Sequence, residues 1–156
     1  MSEIVVSEVH GVSDSQHARM EEIMDELAGL DTGGTGIEIH EMLHAGCYVR
    51  TAFIPAGRVF VSAQILKPTV LIVSGDIYLT DTERTVRIQG YEVLTGARMR
   101  QGIVRTLKDT YMTAFFATDA KTCAEAEASA VADVSRLWHD QRDKEHVLGR
   151  RRSSAR

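Results

Sequence analysis

Two hydrophobic periods divide the chain. Between residues 14 and 28, Met20, Ile23, Met24 and Leu27 recur at i, i+3, i+4 and i+7. That spacing lays one apolar stripe along a helix. Ser13-Asp14-Ser15-Gln16 just before it fits a capping box, with Ser13 as N-cap and Gln16 reaching back to its amide. Gly29 can supply the left-handed residue that ends the helix. The stripe must cover something, either this chain's own β domain or a partner.

From residue 37 to 117 the period changes to two. Nine β-branched and aromatic runs recur: IEIHEML, CYVRTAFI, RVFVSAQIL, TVLIV, DIYLT, RTVRI, YEVL, GIVRTL and TYMTAFFAT. Turn signals separate them, among them Ala45-Gly46, Pro55-Ala56-Gly57, Lys67-Pro68, Ser74-Gly75-Asp76, Thr95-Gly96 and Lys108-Asp109. Eight or nine short strands without intervening helices predict a mainly β sandwich or barrel. By strict alternation Phe60, Ser62, Gln64 and Leu66 share one strand face. After Asp119, a candidate N-cap, Cys123, Ala126, Ala130, Val134 and Leu137 fall at helical spacing with Trp138 beside them. They predict one long helix over 119–142. The expected organisation is an acidic arm over 1–36, a β domain over 37–118, the C-terminal helix, and a tail over 143–156.

Charge sharpens this division. Residues 1–36 hold eight acidic side chains and one basic, a net of −7, and 150–156 hold four arginines and no acid. The 113 residues between are close to neutral, and the whole chain of 156 residues carries −4. Arg150, Arg151, Arg152 and Arg156 are candidate phosphate contacts, though four arginines give only weak, salt-sensitive binding. The ordinary composition, 44% hydrophobic and 26% charged, excludes a disordered or disulfide-stapled chain. No apolar run reaches the length of a membrane span, and the first residues lack the basic start and apolar stretch of a signal peptide. Cys47 and Cys123 read as free thiols of a reducing compartment and as small core hydrophobes.

Few residues carry an obvious chemistry. His40-Glu41-Met42-Leu43-His44 matches the HExxH pattern of zinc peptidases, which needs a helix to bring both imidazoles to one ion. The flanking residues read as extended. In a strand, His40 and His44 stand about 13 Å apart, too far to share a metal. The glycine-rich stretch Asp31 to Gly36 is a flexible linker, with no preceding strand and no following Gly-Lys-Ser/Thr to make it a phosphate loop. Asp81, Glu83 and Arg84 read as a solvated hairpin. Sparse aromatics, apart from any basic patch, argue against a nucleic-acid stacking platform.

At residues 46–57, GCYVRTAFIPAG, the sequence resembles the small cupin-like proteins of tailed bacteriophages. The resemblance extends over about residues 37–125, through Ile72 to Asp76, Gly102 to Leu107 and Thr113 to Asp119. It implies a double-sheet jelly roll, to which the spacing read above adds the N-terminal amphipathic helix and the long C-terminal one. It also implies where the metal ligands of such barrels would fall: at Leu66, at Thr69 or Val70, and at Phe116. None of these is an imidazole or a carboxylate, so metal-dependent chemistry does not carry over and no cofactor is expected. What the resemblance leaves is a non-enzymatic structural or assembly protein, in a virion or in the infected bacterium's cytoplasm. It would associate with itself or with other particle proteins through its terminal helices, with Met20, Ile23, Met24 and Leu27 as contacts. The alternatives are a small-molecule-binding barrel with its ligand near Gln64, Leu66, Val70 and Phe116, and an enzyme whose metal has moved to His40 and His44.

Overall fold

The structure, a computed structural model, describes residues 7–30, 36–80 and 84–137, with the backbone alone at Ser7 and over 28–30. The linker over 31–35, Asp81, Glu83, Trp138, the last part of the expected C-terminal helix and the arginine tail lie outside the described residues. In chain order the elements are β1 (Ser7–Val9), α1 (Asp14–Leu30), β2 (Glu38–His44), β3 (Cys47–Ile54), β4 (Val59–Val61), β5 (Thr69–Thr80), β6 (Thr85–Gly96), β7 (Ile103–Thr106), β8 (Thr110–Ala117) and α2 (Cys123–Ala130), followed by a 3-10 turn over Val134–Arg136. The fold is mainly β, as the period of two predicts.

The strands hydrogen-bond in the order β1-β6-β5-β8-β3-β2, and β7 adds β4 to the same system through β5. Every pairing is antiparallel except that of β1 with β6. The long strand β5 exchanges partners halfway: Val70 to Ser74 pair with β8, and Ile77 to Thr80 pair with β7. Its other edge follows β6 throughout, and Gly75 meets Gly90 where the exchange occurs. A Cβ on Gly75 would run into the Thr110 side chain, so only glycine lets β8 approach here. Ser74-Gly75-Asp76 is therefore a bend inside one strand and not the turn its composition predicts. TVLIV and DIYLT are one element, as are RTVRI and YEVL.

One interior serves both halves. Val73, Ile77, Leu79, Leu94 and Val104 form its main cluster, and Ile37, Ile39 and Ile54 a smaller one. Phe60 and Met112 pack against both clusters and join them. Beside them Asp76, only 3% exposed, takes a bidentate grip from Arg87, Nε to Oδ1 at 3.0 Å and Nη2 to Oδ2 at 2.9 Å. Arg87 holds this carboxyl below its ordinary value.

The capping box forms as expected: the Ser13 amide donates to Gln16 Oε1 at 2.8 Å, and the Gln16 amide to Ser13 Oγ at 3.3 Å. The helix runs through Gly29 to Leu30. Its stripe turns toward the chain's own β domain, with Met20 7% exposed and Ile23, Met24 and Leu27 half-buried. Polar contacts fasten it there. The buried Gln101 amide takes His17 at 2.7 Å and donates to Glu21 at 3.1 Å and to the Ser62 carbonyl at 3.0 Å. Ahead of the helix, β1 lies along β6 and Gly11 bridges Arg100. The described part of the acidic arm is thus built into the β domain.

The long C-terminal helix is corrected. Helix α2 has eight residues and stops at Ala130, where Val131 becomes extended and bridges Ile65. The Leu66 amide takes the Ala130 carbonyl at 2.7 Å, and the Ala132 amide takes the Gln64 carbonyl at 3.0 Å. This strap to 64–66 offers the backbone partners that continued helix would have supplied. Asp133 then caps the 3-10 turn by accepting from the Ser135 amide, so Val134 and Leu137 leave the alanine stripe.

Candidate functional site

Antiparallel partners share a face, and the register of β2 with β3 places Glu41 beside Arg50 and Leu43 beside Tyr48. Tyr48 and Arg50 alternate with Ala52 and Ile54 on the inward face of β3. An arginine and a tyrosine thus replace apolar residues at one end of the interior. Helix α2 covers that end. Its Thr122 N-cap accepts from the Glu125 amide at 3.1 Å, and Glu125 in turn accepts from the Lys121 amide. Ala126 and Ala130 are fully buried, and their small side chains bring the helix close enough for Glu127 to reach inward.

Four polar side chains meet there. Tyr48 Oη lies 2.9 Å from Glu127 Oε1 and 3.0 Å from Glu41 Oε2. Arg50 Nη1 lies 3.3 Å from Glu127 and 3.8 Å from Glu41. Glu127 and Arg50 are 5% and 11% exposed, Glu41 36%. A phenol has one proton to give, so it bonds both carboxyls only when one of them is protonated and donates back. The hydrogen bond with Glu127, then burial, then the Glu127 charge push the Glu41 carboxyl above its ordinary value, against the lowering pull of the Tyr48 hydrogen bond and the Arg50 charge. Burial raises the Tyr48 phenol further, out of reach of ordinary pH. Arg50 Nη2 is buried and has no hydrogen-bond partner among the described residues.

Apolar and thiol groups border the cluster. Phe116 stacks at a tilt on Tyr48, ring centroids 5.2 Å apart, and Lys67 Nζ sits 5.5 Å over the Phe116 ring while bonding Ser129 Oγ at 3.1 Å. The Cys123 thiol is pushed up by burial and by Glu41 and Glu127, which suits an inert side chain better than a nucleophile.

The residues singled out in the sequence do not converge. Phe116 borders this cluster, but Val70 is paired with Phe115 and faces the opposite side of the sheet. Gln64 is buried, yet it lines a separate cleft of about 150 Å³ with His17, Glu21 and Arg136, between α1 and the 3-10 turn. Leu66 belongs to the strap under Ala130. The expected common face of Phe60, Ser62, Gln64 and Leu66 is absent because β4 ends at Val61 and the chain leaves regular pairing. His40 and His44 lie exposed on strand β2, so the helical geometry of HExxH is not formed. Among the described residues no three His, Cys, Asp or Glu side chains cluster to hold a metal. Thr69 is taken by the Arg100 guanidinium and Phe116 by Tyr48, so the positions implied for a barrel metal do not fit one.

Sequence reasoning missed Glu41, Tyr48, Arg50 and Glu127 as a group. The available signal was Arg50 itself, a charge alternating with Tyr48 and Ile54 on an otherwise inward-facing set.

No family model matches the chain, and no curated protein matches it in sequence. Among solved structures it is similar to a cupin superfamily protein of Desulfitobacterium hafniense, with 12% identity and a TM-score of 0.47 over 60% of this chain and 88% of that one. KdgF from Halomonas sp. matches with 12% identity and a TM-score of 0.46 over 58% and 86% of the two chains. Ectoine synthase from P. lautus matches with 18% identity and a TM-score of 0.46 over 64% and 75%. The architecture itself is defined by the strand order and shared interior described above. No helix among the described residues is long and apolar enough to cross a membrane.

Proposed function

We propose that this chain is a non-catalytic assembly module built on a cupin-like barrel, of the kind its 46–57 motif resembles in tailed bacteriophages. It works as a structural component of the particle or of its assembly in the infected cell. One observation carries this reading: α2 is strapped over the polar end of the barrel and its own Glu127 occupies the Tyr48–Arg50 pair. A group that a ligand would use is spent on holding the fold together. Arginines 150–152 and 156 add a weak phosphate contact to this role.

Native mass spectrometry of the full chain, purified without added metal, tests it. Masses that are simple multiples of the polypeptide are expected. A stoichiometric metal or organic increment overturns it.

The unpartnered Arg50 Nη2 favours a second reading, in which a small carboxylate binds beneath α2 and Glu127 is its stand-in. Saturable binding of succinate that is lost in Arg50→Met would support that reading against the first.

A further inference from the structure

Antiparallel sheets with one covered face ordinarily present polar side chains to water on the other. The outward face of β6-β5-β8-β3-β2 does not. Its first row, across the five strands, reads Tyr91, Ser74, Tyr111, Phe53 and Glu38. The second reads Val93, Ile72, Thr113, Thr51 and His40, and the third Thr95, Val70, Phe115, Val49 and Met42. None of the fifteen is buried, and Tyr91, Met42 and Tyr111 are 67%, 57% and 54% exposed. Nine are aliphatic or aromatic, four are Ser or Thr, and none is Lys or Arg. The two ionisable residues, Glu38 and His40, both stand on the edge strand β2.

We propose that this face packs against the same face of a second copy of the chain. Same-side residues lie about 6.8 Å apart along a strand and strands about 4.8 Å apart, so three rows by five strands cover about 500 Å². Its nine apolar positions make up about 300 Å² of that, the lower end of the range for the largest apolar patch on a typical monomer. Doubled over two copies the whole face gives about 1,000 Å², the lower bound of a specific interface.

The face is also compatible with itself. A two-fold axis along β8, the middle strand, sets β2 of each copy over β6 of the other. Glu38 and His40 then meet Tyr91, Val93 and Thr95 at opposite rims, and like charges never face each other. Tyr111, Thr113 and Phe115 fall along the axis, with Thr113 at its centre. The Thr113 hydroxyl lies 2.8 Å from that of Thr51, so the centre closes without orphaning either group. Phe53 and Tyr111, with ring centroids 5.1 Å apart, supply a braced aromatic anchor beside it. The inference goes beyond the assembly role by naming the surface, and it does not depend on what the barrel holds.

Sedimentation velocity of the full chain across 1–100 µM tests it, alongside Tyr111→Lys and Ile72→Lys, with Ala18→Lys at an exposed position on α1 as a charge-matched control. The expected result is an even-numbered assembly that both sheet variants halve and the control leaves intact, with circular dichroism unchanged throughout. Tyr111→Ser, a milder change at an exposed position, gives the same answer should the lysine variants lose their fold. A monomeric or odd-numbered wild type, or variants of unchanged mass, overturns the proposal. An even-numbered assembly carrying a bound small molecule would overturn the assembly role and leave this interface standing.

Discussion

Tyr48 on β3 and Glu127 on α2 are 79 positions apart in sequence and 2.9 Å apart in the fold. Their bond, with Arg50 alongside, is the polar half of what holds α2 to the barrel; Ala126, Ala130 and the strap to 64–66 are the other half. Tyr48→Phe leaves a buried carboxylate short of a donor and should cost about 1–3 kcal/mol. Glu127→Ala strands most of the Arg50 charge and should cost about 3 kcal/mol. Urea denaturation with an unchanged m-value would check both; a loss under 0.5 kcal/mol for Glu127→Ala would mean that α2 is held without this cluster.

Glu41 gives the same cluster a pH dependence. Its folded-state carboxyl is raised above the ordinary 4.5, so it favours the fold in its protonated form. That contribution is complete below the unfolded value and is lost as the pH rises through the folded one. In Glu127→Gln the main cause of the shift is gone, and the Glu41 side-chain carboxyl resonance should titrate close to its ordinary value. A raised titration that persists in this variant would assign the shift to burial.

Asp76 behaves in the opposite sense. Arg87 depresses its carboxyl below 3.8, so its contribution is complete above that value and is lost as the pH falls through the folded-state one. Thermal melts from pH 7 to pH 2 should show a steep acid limb that flattens in Asp76→Asn, which should also melt lower at pH 7.

The glycine pair at the bend separates two costs. Gly75→Ala places a methyl group against Thr110 and should destabilise by about 2 kcal/mol through overpacking. Gly90→Ala meets open space but a φ of +80° and should cost about 1 kcal/mol from the backbone alone. Adding Thr110→Ala, which removes the nearest clashing atom, Oγ1, should offset part of the first cost and none of the second.

Helix α1 is a stabilising cover. Met20→Ala should cost about 2–5 kcal/mol and Ser13→Ala about 1 kcal/mol. Deleting residues 1–30 also removes Glu21 and Asp25 from Arg136, which they hold at 3.0 and 2.6 Å. The truncated chain should melt lower yet keep its number of subunits. A fall in that number would make Met20, Ile23, Met24 and Leu27 association contacts.

Local chemistry was readable where it acts locally. The capping box at Ser13 and Gln16 depends on neighbours three positions apart, and both its bonds form. Ala45-Gly46 turns the chain as its composition predicts, with both residues at positive φ as a two-residue hairpin requires. Ser74-Gly75-Asp76 carries equally strong turn chemistry, but there glycine answers a need set by Thr110, 35 positions away. The alanine stripe after Cys123 is sound helix, and it stops because Ile65 and Leu66 claim the backbone at its end. The polar cluster was hidden for the same reason. Glu41 and Glu127 acquire meaning only once β2 and α2 share one end of the barrel.

The exchange of partners along β5 also orders the folding reaction. Its pairing with β6 joins neighbours in sequence, whereas its pairings with β7 and β8 close loops of more than twenty residues. The sequence-local hairpin with β6 has the smaller loop-closure cost and should form first, setting β5 in place as the edge for both long-range pairings. Val73→Ala and Ile77→Ala, on either side of the bend, should therefore slow folding, while Ala126→Gly on α2 should chiefly hasten unfolding.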